Sequence, residues 1–204
     1  MNSPTSDAGV RTARPNDVPA VAHVQAAVWR DAYGPLVDAE VRDAFTPAAF
    51  EPAWRQSLRN PPTPLHRLLV ATEGETVVGF AAIGPADDAG AAADDTASTD
   101  TNDSAERQRR IGEIFTFGVT PQRRGTGNGS RLLNAAVDTL RAGDFDDVTM
   151  WVLADAEDVR AFVTAAGLQP DGAWRDRVIA ADGRTAREVR LTASLTDPDD
   201  PATS

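Results

Sequence analysis

The sequence of 204 residues contains no cysteine and only two histidines, His23 and His66. All twenty of its basic residues are arginine, so lysine is absent as well. Without cysteine there is no disulfide framework, no thiolate nucleophile and no Cys-bearing zinc site. Without lysine there is no phosphate-gripping residue of a Walker A loop, no Schiff-base residue and no kinase-type chemistry. Neither histidine has a second ligand at metal spacing, and no metal is expected. The GxSxG turn of a Ser-His-Asp hydrolase does not occur either. No apolar run approaches the ~20 residues of a membrane span. The polar stretch from Met1 to Gly9 lacks the apolar centre of a secretory signal. The expectation is a cytoplasmic protein with no membrane partner.

The formal net charge of -11 is unevenly spread. The stretch 85–106 holds Asp87, Asp88, Asp94, Asp95, Asp100, Asp103 and Glu106 and no base, and the tail adds Asp197, Asp199 and Asp200. The rest of the chain is close to neutral. An acidic chain without lysine is poorly equipped to neutralise phosphates, so no nucleic-acid partner is expected. The stretch 85–106 also lacks large apolar residues and cannot offset the entropy of ordering itself. The expected organisation is a flexible N-terminus at 1–9, one domain at 10–196 interrupted by a disordered acidic loop at 85–106, and a flexible acidic tail at 197–204. A chain of this length buries roughly 70% of its unfolded surface and needs no covalent staples.

Hydrophobic periodicity gives the order of elements. Val10–Arg14 reads as a strand, and Asn16, Asp17 and Pro19 signal a helix start, with Val21, Val24 and Val28 on the buried face and Gly34-Pro35 as the stop. Residues 38–58 read as helix in two pieces, broken near Thr46-Pro47. Leu65–Thr72 and Thr76–Ile83 flank Glu73-Gly74-Glu75 as a hairpin, and Ile111–Val119 is a further strand. From Gly127 the period turns helical, with Leu132, Leu133, Ala136, Val137 and Leu140 on one face. Val148–Leu153 is a strand. The next helix has Asp155 as its N-cap, Val159, Phe162, Val163 and Ala166 as its apolar stripe, and Gly167 as its stop. Arg175–Ala180 and Ala186–Ala193 close with a hairpin around Asp182-Gly183.

One segment carries chemistry: Val119-Thr120-Pro121-Gln122-Arg123-Arg124-Gly125-Thr126-Gly127-Asn128-Gly129-Ser130-Arg131-Leu132-Leu133. A strand runs into an Arg/Gly-rich turn that opens an amphipathic helix. Glycines let the backbone approach a ligand, N–H groups point inward, and the helix N-terminus adds partial positive charge, which together make an anion site. A dinucleotide fingerprint would require glycine where Ser130 stands. A P-loop would require the absent lysine. A glycine-rich helix start without any ligand remains the plain alternative.

Arg124-Gly125-Thr126-Gly127-Asn128-Gly129 resembles the R-x-x-G-x-G signature of the GNAT superfamily of acetyl-CoA-dependent N-acetyltransferases. Val28-Trp29-Arg30-Asp31-Ala32-Tyr33-Gly34-Pro35-Leu36, Trp54-Arg55, Val77-Val78-Gly79-Phe80 and Phe162–Leu168 resemble further family segments in the same order. The resemblance implies a mixed α/β fold with a mostly antiparallel central sheet of about seven strands flanked by about four helices. It implies acetyl-CoA as co-substrate, with its pyrophosphate on Arg124, Gly125, Thr126, Gly127, Asn128, Gly129 and Ser130. Its pantetheine would lie along Phe117, Gly118 and Val119.

The same resemblance implies transfer of an acetyl group to a primary amine of a small molecule or peptide, by direct attack in a ternary complex. It places Trp29, Arg30 and Tyr33 around the acceptor and makes Glu113 the candidate base, acting through water. The tyrosine and asparagine that the family carries on the helix after the coenzyme strand align here with Val163 and Ala156. Neither can donate a proton, so an acetyl-CoA-binding module with weak turnover is the alternative reading. A purely structural domain is the third. A monomer or homodimer is expected.

Overall fold

The computed structural model describes residues 8–86 and 109–196. The chain runs β1 (Ala8–Thr12), α1 (Val18–Ala32), α2 (Ala39–Ala44), α3 (Pro47–Arg59), β2 (Arg67–Glu73), β3 (Thr76–Pro85), β4 (Ile111–Val119), α4 (Asn128–Ala142), β5 (Asp147–Leu153), α5 (Glu157–Ala165), β6 (Gln169–Val178) and β7 (Thr185–Ser194). The strands form one sheet in the order β1-β2-β3-β4-β5-β7-β6. All neighbours are antiparallel except β4 and β5, which are parallel. This is the mixed, mostly antiparallel sheet of seven strands that was expected, with five helices because the short α2 stands apart from α3.

Each face of the sheet buries a helical stripe. Leu132, Leu133, Ala136 and Leu140 of α4 pack with Ile114, Val148, Met150 and Leu191 of the strands, joined by Val163 of α5. On the other face Val21 and Val24 of α1 meet Leu68, Val70 and Phe80, with Trp54 of α3 alongside. A third cluster gathers Val37, Phe45, Ile179 and Ala186 with Trp29 and Tyr33 at the end of α1. The apolar positions recur every three to four residues in the helices, which is why the sequence alone assigns these faces.

Several boundaries differ from the sequence expectations. β1 begins at Ala8, whose partner is Glu73, so order starts inside the stretch expected to be flexible. Pro85 belongs to β3 rather than to the acidic loop: it lies opposite Gly112, and the Ala86 N–H donates to the Ile111 carbonyl. A sheet ladder with a partner continues past the point where composition changes. The rest of that loop, to 106, and the tail at 197–204 lie outside the described residues.

The cap of α5 is Ala156 rather than Asp155, and its side chain makes no capping bond. The Ala154 N–H still pairs with the Arg187 carbonyl, and a turn from Leu153 delays the helix. Asp17 precedes α1, but its carboxylate turns back to the Arg14 N–H and to Arg11 instead of capping the helix.

One irregularity shapes the centre of the molecule. In the β3–β4 ladder Ala82 faces Thr116 and Ile83 faces Ile114, so Phe115 is an extra residue on β4. β4 pairs with β5 only from Ile111 to Ile114, against Asp147 to Met150. Beyond the bulge the two strands part. A bulge re-aims a strand and ends its pairing on that side.

Candidate active site

The parting of β4 and β5 opens a cleft of ≈ 1290 Å³. Its walls include Phe115 to Val119 of β4, Met150 to Leu153 of β5, the end of α1, the start of α4 and one face of α5. The unpaired half of β4 leaves main-chain groups that an extended ligand can match, as an added strand does. α1 comes close to this strand because Gly118 has no side chain: a Cβ there would lie 2.9 Å from Val28 Cγ2.

At one end of the cleft stands the Arg/Gly turn. Gly125 and Gly127 have φ of 73° and 82°, a left-handed conformation that favours glycine. Gly127 is the N-cap of α4 and carries no capping side chain. The first amides of α4 therefore have neither an intrahelical partner nor a side-chain cap. That arrangement receives an anion.

The turn is braced from behind. Asn128 is 2% exposed, and its Nδ2 donates to Glu73 at 2.7 Å and to Thr126 Oγ1 at 3.0 Å. Glu73 also pairs with Arg123 at 3.2 Å. Arg124 donates to Asp31 of α1 at 2.7 Å and to the Val119 carbonyl, tying turn, strand and helix together.

At the other end Trp29 and Tyr33 stand 5.0 Å apart between ring centroids, and Phe45 and Phe50 hold the indole from behind. Glu188 of β7 faces them, 2% exposed. It accepts from Arg175 Nε at 2.7 Å and from Arg177 Nη1 at 3.4 Å, both on β6. The Arg175 guanidinium lies 4.2 Å from the Trp151 ring centroid, and that of Arg177 5.5 Å from the Trp29 centroid. Burial holds the Tyr33 phenol above its ordinary pKa; Arg177 opposes this and Glu188 adds to it.

Of the residues singled out from sequence, Trp29, Tyr33, Phe117, Gly118, Val119, Arg124, Gly125, Gly127, Gly129 and Ser130 meet in the wall of this cleft. Thr126 and Asn128 are in the turn but not in the wall. Arg30 is exposed and also outside it. Glu113 is half-buried on β4, opposite Gly84 and Thr149, next to the last paired residue and outside the wall. Val159 and Phe162 of α5 and its cap Ala156 line the cleft, while Val163 is fully buried in the main core.

His66 stacks on the bulge residue Phe115, and His23 is exposed. Sequence reading missed Asp31, Glu73, Arg177 and Glu188. The first two act through partners far along the chain, and Arg177 and Glu188 become neighbours only through the β6–β7 register.

No group of three or more residues suited to hold a metal ion occurs among the described residues. The model of the acetyltransferase (GNAT) family matches residues 28–168. No curated protein matches the chain. Among solved structures, it resembles an N-acetyltransferase from Thermoplasma acidophilum in complex with coenzyme A, with a TM-score of 0.63 at 12% identity over 92% of this chain and 99% of that one. It also resembles a Salmonella typhimurium structure with acetyl-CoA as cofactor (TM-score 0.56, 20% identity, 97% and 99% covered). A third is the ribosomal-protein-S18-alanine N-acetyltransferase of Escherichia coli (TM-score 0.60, 14% identity, 95% and 97% covered). At these identities the likeness is one of fold.

Proposed function

The chain belongs to the acetyltransferase (GNAT) family, and on that premise we propose that it is an N-acetyltransferase that acts on a primary amine of a small molecule or peptide. The carrying observation is the cleft itself, where an uncapped helix start and an unpaired strand half share one cavity. These residues fit acetyl-CoA. The amides from Gly125 to Ser130 would hold the pyrophosphate. The open edge at Phe117, Gly118 and Val119 would pair with the amides of the pantetheine arm. When bound, the co-substrate supplies an acetyl group activated as a thioester.

The chain's own task is then to hold an amine against that group and to take its proton. Trp29 and Tyr33 would border the amine, and holding both partners together removes most of the entropic barrier of a two-body reaction. Glu113 is the base we propose. Because it lies outside the cleft wall, its route to the amine runs through water. Cytoplasmic work as a monomer or homodimer, without a metal, is the setting we propose; no helix among the described residues is long and apolar enough to cross a membrane.

One observation favours the second reading, an acetyl-CoA-binding module with weak turnover: neither Ala156 nor the buried Val163 offers a proton to a departing thiolate. Calorimetric titration with acetyl-CoA, followed by thiol release over a panel of amines, separates the two. Binding with thiol release supports the transferase. Binding without release supports the module, and no binding overturns both.

A further inference from the structure

At the acceptor end of the cleft two arginines share one carboxylate. Arg175 and Arg177 lie two residues apart on β6 and so point to the same face of the sheet. Glu188 stands directly opposite Arg175 in the β6–β7 ladder. One carboxylate thus receives two guanidiniums, so the group of three is net positive. Arg177 and Glu188 line the cleft and Arg175 stands behind them. Glu188 is only 2% exposed, whereas the Arg177 side chain is 36% exposed.

The other arginines of this hairpin are matched more evenly. Arg187 pairs with Asp176, and Arg184 with Asp38 and Asp182. Arg177 reaches Glu188 only through Nη1, at 3.4 Å, and its Nε and Nη2 meet no other acceptor among the described residues. A guanidinium fork with free donors, backed by the Trp29 ring, is the geometry that receives a carboxylate side-on.

We propose that the acceptor is an amine that also carries a carboxylate, and that Arg177 binds this carboxylate beside Trp29 and Tyr33. The inference rests on the acetyltransferase reading and narrows it. An acceptor with a further cation would meet Arg177 and be repelled, and an uncharged amine would leave the fork without a partner.

The test uses product-like probes, so that it does not depend on turnover. N-acetyl-L-phenylalanine and its primary amide differ only in the charge that Arg177 would read. Calorimetric titration of the full chain, with and without coenzyme A, is expected to give tighter binding of the acid by about tenfold or more, as for a hydrogen bond to a charged group. Arg177→Gln should bring the ratio of the two affinities close to one. Glu188→Gln removes the competing charge but keeps an acceptor for Arg175, and should tighten binding of the acid; a merely structural role would weaken both probes alike.

Equal affinities in the unaltered protein, no binding of the acid, or a ratio that survives Arg177→Gln would each overturn the proposal. Thiol release with L-phenylalanine and γ-aminobutyrate against their amides should follow the same order, and preference for the amides overturns it as well. Failure to bind acetyl-CoA in the same samples strikes the acetyltransferase reading instead, and leaves the acid-to-amide ratio to decide on the anion site.

Discussion

Asn128 Nδ2 donates to Glu73 at 2.7 Å, so the buried side chain inside the Arg/Gly turn is fastened to the hairpin between β2 and β3. The amides proposed to face the coenzyme are thus positioned by a residue outside the cleft wall. A hydrogen bond to a charged group contributes about 1.5–3 kcal/mol, and the low end applies here because Glu73 keeps its pair with Arg123. Asn128→Ala should therefore lower the melting temperature by several degrees and weaken acetyl-CoA binding. Asn128→Asp, which sets a second carboxylate against Glu73, should do worse on both counts. A melting curve unchanged by either substitution would show that the brace is idle.

Gly127 holds φ at +82° at the very start of α4, and a Cβ there would lie 2.9 Å from Arg131 Nη1, the mobile end of a side chain. Backbone strain then matters more than space. Left-handed geometry costs a β-branched residue about 1–2 kcal/mol or more, which a domain of this size tolerates. Gly127→Val is expected to fold, with a modestly lower melting temperature, and to lose measurable affinity for acetyl-CoA. Calorimetry with a circular dichroism control checks both halves.

How much of this was legible in the sequence follows from the range of the interactions. The helical stripes of α1 and α4, the hairpins and the Arg/Gly turn are local patterns, and each lies close to where periodicity puts it. The parting of β4 from β5 was not legible from periodicity or spacing, because it depends on one extra residue, Phe115, that the ladder with β3 cannot absorb; only the family resemblance implies a bulged strand there. Asp31 and Glu73 meet the turn across 93 and 55 residues of chain. No spacing rule announces such pairs. Arg177 and Glu188 likewise sit on alternating strand positions whose common face is set by register alone.

Residues 87–108 join two strands whose ends are already paired, with Pro85 opposite Gly112 and the Ala86 N–H on the Ile111 carbonyl. A short turn can span that gap. Replacing 87–108 by a four-residue Gly/Asn turn should leave acetyl-CoA binding intact and raise stability slightly, by about 1–1.5 kcal/mol from the smaller loop-closure entropy. A clear fall in melting temperature would show that the acidic stretch contributes contacts of its own.

Glu113 tests the proton route. If it takes the amine proton through water, Glu113→Gln should lower kcat by about 10²-fold, the low end for general-base effects, and flatten the acidic limb of the pH–rate profile. The dissociation constant for acetyl-CoA should not change. A loss of coenzyme affinity together with a lower melting temperature would instead mark Glu113 as part of the β4 framework, and full activity would remove it from the mechanism.

Tyr33 is the single tyrosine of the chain, so its ionisation is visible in the near-ultraviolet absorbance without interference from another phenol. Burial is the main cause that raises its pKa, Glu188 adds to the rise, and Arg177 and Arg175 pull it back. The phenolate should therefore appear only above pH ~10, the ordinary midpoint. Because the folded form holds this proton more tightly than the unfolded one, the associated stability is complete below pH ~10 and is lost as pH rises through the folded midpoint. The two neighbours move the midpoint in opposite directions. Glu188→Gln removes a negative charge and should lower it; Arg177→Gln removes a positive charge and should raise it further. Alkaline titration of the three proteins, read at the phenolate band and kept below the pH of unfolding, checks this directly. Shifts of the same sign in both variants, or none in either, would mean that Tyr33 does not share one end of the cleft with the Arg177–Glu188 pair.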